Sequence, residues 1–330
     1  MTAPHPRPGL LLVSIVALVA MSACVTIELP FGSRSPLREA VVYGQEGPKI
    51  AMVDIAGPIS MSGSSGPLGL GGAEGLPARV REELEIARDD PEVVALLLRI
   101  DSPGGTVIAS EVLHDEVRRF KEATGRPVIA QMMGVAASGG YYVAMAADEV
   151  RAYPSTITGS IGVIFMDLNL SGLLEKVGVR DETLTSGPFK DAGSPFRPVR
   201  PEERAQLRTV IDELYEQFVD VVDRGRPGLD REAVKALADG RIYSARQAKA
   251  HGLVDAIGGL DDAVEAARQA AGVAGPVRVV AYHRGSVAPE NLFSASSPVP
   301  AEPEAETFRA MIPAPGFFYL WRPGLQTPRP

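Results

Sequence analysis

Residues 93–100, Val-Val-Ala-Leu-Leu-Leu-Arg-Ile, restrict the fold more than any other segment of the chain. A strand that is apolar on both faces must be covered on both, and parallel sheets between helical layers provide that cover. Asp101-Ser102-Pro103-Gly104-Gly105 then turns the chain into an amphipathic stretch predicted as a helix over 106–122. A second strand is expected over 127–132, followed by Gly134-Val135-Ala136-Ala137-Ser138-Gly139-Gly140 and a small-residue helix over 138–147. This alternation predicts an α/β core of largely parallel strands. Sites in such folds lie beyond the carboxyl ends of strands, where both glycine-rich turns fall.

The remaining pattern fits the same core. Residues 49–55 read as the first strand, and 76–88 as a helix with Pro77 in its first turn. Between them, 57–75 is crowded with Gly and Ser, which fits either a mobile substrate-side loop or a disordered insertion. Short strands are expected at 149–152 and 158–163, a helix at 170–177, a strand at 182–184 and a loop at 185–191. A long helix over 201–222 carries Leu207, Val210, Ile211, Leu214, Phe218 and Val221 at spacings of three and four, a face for core or subunit contact. Helices at 230–238, 245–250 and 260–270 and a strand at 277–281 complete one domain, 49–284, with no internal repeat. Residues 285–330 turn to Pro, Ala, Ser and Glu and read as a disordered tail, although Phe318-Tyr319-Leu320-Trp321 is apolar enough to dock.

The N-terminus speaks to location. Arg7 precedes an uncharged apolar run over 9–21 that ends in Ser22-Ala23-Cys24. Residues 1–24 thus read as a lipoprotein signal with Cys24 as the lipidation site, as an uncleaved membrane anchor, or as a plain secretory signal. Each places the rest of the chain in the cell envelope outside the cytoplasm, with 25–48 as a tether. The single cysteine allows no internal disulfide. A net charge of −8 with no basic stripe argues against nucleic acid as a partner, and no zinc-ligand spacing is present.

Ser138 lies at a strand-to-helix turn between small neighbours, where a hydroxyl can stand open to a substrate. The competing reading is a plain helix N-cap. The segment is not the Gly-x-Ser-x-Gly elbow, because Ala136 stands where the first glycine would be. Of the histidines, His5, His114, His251 and His283, only His114 is near in sequence, and its helix position is that of an exposed or boundary residue. Lys190, in a Gly/Pro loop beside Phe189, is the better base, since a desolvated lysine supplies a neutral amine at physiological pH. Gly104 and Gly105 end a buried strand and can present a backbone N–H to an oxyanion, or simply make a tight turn. Ser160, in Thr158-Gly159-Ser160-Ile161-Gly162, can orient a lysine amine or serve only the turn.

These four segments, in this order and spacing, resemble the signal peptide peptidase A family of Ser-Lys peptidases in its single-domain form, over about 49–281. The resemblance implies Ser138 as nucleophile, Lys190 as general base, Ser160 as the residue orienting the lysine, and Gly104 and Gly105 as the oxyanion hole. It further implies a caseinolytic-protease/crotonase-like spiral of β-β-α units, no cofactor and no metal. The expected substrates are remnant signal peptides near the membrane, cut by a homo-octamer whose active sites are shared between subunits. Apolar, uncharged surroundings lead us to expect small or apolar side chains at the cleavage site. Two alternatives are a crotonase-like acyl-CoA enzyme and a non-catalytic membrane scaffold; neither accounts for Ser138 together with Lys190.

Overall fold

Apolar residues alternate between two layers along the central strands, and this sets the architecture. A computed structural model describes residues 35–63, 74–284, 287–294 and 316–321. Leu37–Pro330 forms one compact unit; of the other, Met1–Pro36, only Ser35 and Pro36 are described. The elements in order are β1 (Arg38–Tyr43), β2 (Lys49–Ala56), α1 (Leu76–Asp89), β3 (Val93–Ser102), β4 (Gly104–Thr106), α2 (Val107–Thr124) and β5 (Val128–Ala137). Then come α3 (Gly139–Ala144), β6 (Glu149–Ala152), β7 (Ile157–Gly159), β8 (Ile164–Met166), α4 (Ser171–Val177) and α5 (Pro201–Gly225). The last are α6 (Arg231–Leu237), β9 (Ile242–Ser244), α7 (Ala245–Ala250), β10 (Ala256–Ile257), α8 (Leu260–Ala270), β11 (Arg278–His283) and β12 (Gly316–Leu320).

Among the described residues the main sheet runs β1-β11-β2-β3-β5-β6-β10, with β7 paired to β5 and to β9. Its centre, β11-β2-β3-β5-β6, is parallel throughout, and β1 and β9 add antiparallel edges. On β2 and β3, Ala51, Val53, Ile55, Leu96, Leu98 and Ile100 face the core under α1, α2, α3 and α5. Ile50, Met52, Ala95 and Leu97 face the other way, onto Leu260, Ala263, Val264 and Ala267 of α8. Each Val, Leu, Ile or Met side chain among them taken out of water contributes about 1.5–3 kcal/mol. The expected α/β fold is therefore present, as a mixed sheet with flanking helices.

Local chemistry sets the boundaries. Pro77 opens α1, and Thr106 caps α2 by accepting from the Ala109 N–H at 3.4 Å. Pro201 opens α5, where the Glu203 carboxylate accepts from the Arg200 backbone N–H at 3.0 Å.

Three expectations need correction. Arg38–Tyr43, placed in the tether, is the edge strand β1, antiparallel to β11, with Val42 buried. No strand forms at 182–184: Leu184 is 98% exposed, and Thr183 makes a local turn with the Asp181 carboxylate instead. Part of the tail is ordered as β12, which joins β4 and β8 in a second sheet. Residues 287–294 of the tail also pack, with Leu292 buried and the Arg99 guanidinium donating to the Leu292 and Ser294 carbonyls; the expectations for 1–24, including Cys24, for most of 57–75 and for tail residues 285–286, 295–315 and 322–330 lie outside the described residues. Among the described residues no helix is long and apolar enough to cross a membrane.

Candidate active site

Ser138 is the hinge between β5 and α3. Its φ of 53° and ψ of −115° are rare for a side-chain-bearing residue, a conformation that costs about 1–3 kcal/mol and that surrounding contacts must impose. The Ser138 N–H donates to the Gly159 carbonyl, and its own carbonyl accepts from the Tyr142 N–H, both at 2.8 Å. Although Ser138 occupies the N-cap position, its side chain makes no capping hydrogen bond. The plain N-cap reading therefore falls, and a strained, uncommitted hydroxyl is left.

That hydroxyl opens into a cavity of about 590 Å³ that Ser160 also lines, together with Gly162, Ile164, Tyr215 and Leu320. Ser160 likewise has a positive φ, 50°, and its N–H donates to the Arg241 carbonyl at 2.8 Å. The two serines are thus brought together from turns at the ends of β5 and β7. Arg208, Asp212, Glu216 and Asp239 supply a charged wall from α5 and the turn before β9.

The first glycine-rich turn packs directly on the second. A Cβ added to Gly104 would lie 2.6 Å from the Gly139 nitrogen, and one added to Gly139 would lie 3.1 Å from the Gly104 Cα. Both positions therefore require glycine for close approach. The Gly104 N–H is already engaged, donating to Ser102 Oγ at 3.1 Å, while Ser102 Oγ donates to the Gly57 carbonyl at 2.7 Å. Gly105 pairs with Tyr319 of β12. Gly139, unmarked in the sequence reading, forms the other side of this notch. Asp101 has a supporting part, its carboxylate accepting from the Val135 N–H at 2.9 Å.

Lys190 lies apart from this group. It is exposed in a turn, its backbone N–H donating to the Gly187 carbonyl at 3.1 Å, and it is absent from the lining of the Ser138 cavity. Its loop is nevertheless clasped. Arg197 binds Asp191 and Glu203, and Arg200 donates to the Pro188 carbonyl and to Glu203. The hydrogen bond from Arg197 is the main influence holding the Glu203 carboxyl down at about 2.

His114 departs from expectation: it is only 8% exposed, and its ring stands edge-on to Tyr142 at 5.3 Å. Burial pushes its pKa down to about 4, outweighing the opposing pull of Asp115, so it is a neutral packing residue behind α3. Of the aromatic cluster it joins, Phe218 belongs to the apolar stripe of the long helix and Tyr319 to the apolar patch at 318–321, whereas Tyr142 carried no sequence signal.

An α/β sheet presenting a strained serine in a cavity beside a glycine-rich strand has the parts that a serine-type peptidase needs. The comparisons agree. The model of "Peptidase family S49" matches residues 120–274. A protein of Enterococcus faecium named as a candidate signal peptide peptidase SppA is 36% identical over 271 residues, covering 79% of this chain and 78% of its own. A candidate protease of Synechocystis sp. is 41% identical over 225 residues, covering 68% and 75%. The chloroplastic serine protease SPPA of Arabidopsis thaliana is 36% identical over 226 residues, covering 68% of this chain and 33% of its own. The chain belongs to peptidase family S49 and is a serine-type protease of the SppA type, acting on peptides.

Proposed function

We propose that Ser138 and Lys190 form a catalytic dyad that cleaves membrane-proximal peptides, remnant signal peptides among them, outside the cytoplasm. The observation that carries this reading is the strained, uncapped Ser138 in a cavity shared with Ser160, while Lys190 stands exposed on a clasped loop outside it. A site complete in its nucleophile and short of its base is explained by a base that arrives from a second subunit. Exposed Leu168, Leu170, Leu173, Val177, Val179 and Phe189 around that loop supply apolar surface for such a junction. The assembly in this reading is a homo-octamer built on a crotonase-like spiral, tethered through residues 1–24.

In the acylation step the Lys190 amine takes the Ser138 proton as Oγ attacks the peptide carbonyl. The oxyanion rests in the notch between Gly105 and Gly139. The C–N bond then breaks as the lysine returns the proton to the leaving amine. Water, deprotonated by the same amine, hydrolyses the ester and restores Ser138. Ser160 orients the lysine.

Separate Ser138→Ala and Lys190→Ala variants, assayed on the assembled protein, test the dyad. Each is expected to lose at least about 10³-fold in kcat with unchanged assembly by sedimentation. Wild-type rates in either would refute it.

A further inference from the structure

Ser102 interrupts the pattern of its own strand. On β3 the side chains of Leu96, Leu98 and Ile100 enter the core beneath α1, α2 and α3. Ser102, two residues further on, falls on the same face and is fully buried. A hydroxyl in such a place is unfavourable unless it is hydrogen-bonded.

Its bonds join three pieces of chain. Ser102 Oγ accepts from the Gly104 N–H at 3.1 Å and donates to the Gly57 carbonyl at 2.7 Å. An N–H can only donate and a carbonyl can only accept, so the serine proton is fixed on the Gly57 side. Gly57 opens the segment that runs along one edge of β4; its N–H donates to the Asp101 carbonyl, and the Ile59 N–H to the Gly104 carbonyl, each at 2.9 Å. Gly140 of α3 packs against Ser102 from the nucleophile's side. A Cβ added there would lie 2.7 Å from the Ser102 carbonyl oxygen and 3.4 Å from its Cβ.

The bond to Gly104 decides where the next amide points. Pro103 has no N–H to anchor the turn, and Gly104, at a φ of 95°, has the backbone freedom to turn its peptide groups either way. With the Gly104 N–H held by Ser102 Oγ, the Gly104 carbonyl faces Ile59, and the Thr106 N–H donates to the Ile59 carbonyl at 2.9 Å. Amides alternate between the two edges of a strand. The Gly105 N–H therefore faces the opposite edge, where the notch with Gly139 lies.

We propose that Ser102 is a positioning residue for peptide cleavage: its hydroxyl locks the Gly104 peptide group so that the Gly105 N–H meets the oxyanion forming in that notch. This rests on Ser138 being the nucleophile and on the notch receiving the oxyanion. Ser102 does not line the Ser138 cavity. Its removal therefore spares binding of the ground-state peptide and weakens binding of the charge that develops in the transition state.

The test compares Ser102→Ala, Ser102→Cys, Ser138→Ala and Thr156→Val with wild type, each as the assembled full chain. A fluorogenic peptide gives kcat and KM, thermal unfolding gives stability, and a peptide aldehyde and the matching peptide alcohol serve as inhibitors. The aldehyde adds to the Ser138 hydroxyl and puts its oxygen in the notch, whereas the alcohol binds without forming that adduct. Thr156 is the control: it is equally buried, its hydroxyl donates to the Met133 carbonyl, and it lies outside the cavity lining. Ser102→Ala should lose about 10–10²-fold in kcat with KM within about twofold, and bind the aldehyde more weakly by a similar factor while holding the alcohol as before. Ser102→Cys, with a weaker sulfur partner, should fall between Ser102→Ala and wild type. Thr156→Val should lose stability and keep its kcat and both inhibitor affinities. A Ser102→Ala kcat within about threefold of Thr156→Val, or aldehyde and alcohol weakened alike, overturns the proposal. Should Ser102→Ala fail to assemble, Ser102→Cys decides: a selective loss of kcat and aldehyde affinity supports the proposal, and wild-type values overturn it. An inactive Ser138→Ala beside an unaffected Ser102→Ala overturns this proposal alone; a Ser138→Ala protein that still hydrolyses the peptide overturns the nucleophile, and the proposal with it.

Discussion

Replacing Gly104 by alanine separates occupancy of the notch from simple backbone strain. Gly104 has a φ of +95°, and its added Cβ would fall 2.0 Å from the Tyr319 oxygen and 2.6 Å from the Gly139 nitrogen. Both neighbours are backbone, so neither can swing aside. The left-handed conformation alone costs an L-residue about 1–2 kcal/mol. Gly125, which ends α2 with a φ of +65°, provides the control, because nothing lies within 4 Å of its added Cβ. Gly125→Ala should therefore lose about 1 kcal/mol of stability, roughly 2–4 °C in Tm, and keep its activity. Gly104→Ala should lose about 10²–10³ in kcat/KM as well, the loss typical when an oxyanion site is spoiled, or about 2.7–4 kcal/mol. The assay pairs peptide hydrolysis with thermal unfolding on both variants. If Gly104→Ala stays within about threefold of Gly125→Ala in kcat/KM, the carbonyl does not bind in that notch.

Two further predictions concern charge. Glu83, buried on α1, has its pKa raised to about 7 because burial outweighs the Arg79 ion pair. The folded state thus holds a proton that the unfolded state releases near 4.5, and stability from this group falls as pH rises toward and beyond 7. Chemical denaturation between pH 5 and 8 should show a loss on the order of 3 kcal/mol that Glu83→Gln flattens; parallel curves would contradict this. Glu203 is shifted the other way, to about 2, chiefly by its hydrogen bond from Arg197. Its contribution is present above about 4.5 and is lost as pH falls toward 2, so Glu203→Gln should loosen the Lys190 loop at neutral pH. The expected reading is a kcat about tenfold lower with little change in KM, together with faster proteolysis within 185–200; an unchanged kcat would show that the clasp does not position the lysine.

Much of this was legible in the chain. The run at 93–100 had to be a buried parallel strand, and it is; the long helix announced itself through Leu214 and Phe218 at a spacing of four. The turns that carry Ser138, Ser160 and Gly104-Gly105 were readable because glycines and serines crowd the ends of strands, where parallel folds keep their sites; the roles expected of those residues came from the family resemblance. Gly139 was invisible as a partner to Gly104, since their approach depends on two strands being neighbours in the sheet. β1 hid behind the Pro and Gly residues that flank it, and β12 behind a tail of strand-poor composition. Neither has an apolar face long enough to declare itself before its partner is known. The strand expected at 182–184 failed for the same reason reversed: Thr183 and Leu184 favour a strand, but no described neighbour offers a ladder.

The central claim, that Ser138 is completed by Lys190 of a neighbouring subunit, is tested most directly by mixing two dead enzymes. Ser138→Ala and Lys190→Ala proteins are dissociated, combined in equal amounts and reassembled, with mixed rings verified by native mass spectrometry. Random assembly gives an intact serine beside an intact lysine at roughly a quarter of junctions. Recovery of about that fraction of wild-type peptide hydrolysis is the predicted result; verified mixed rings that stay inactive would contradict it.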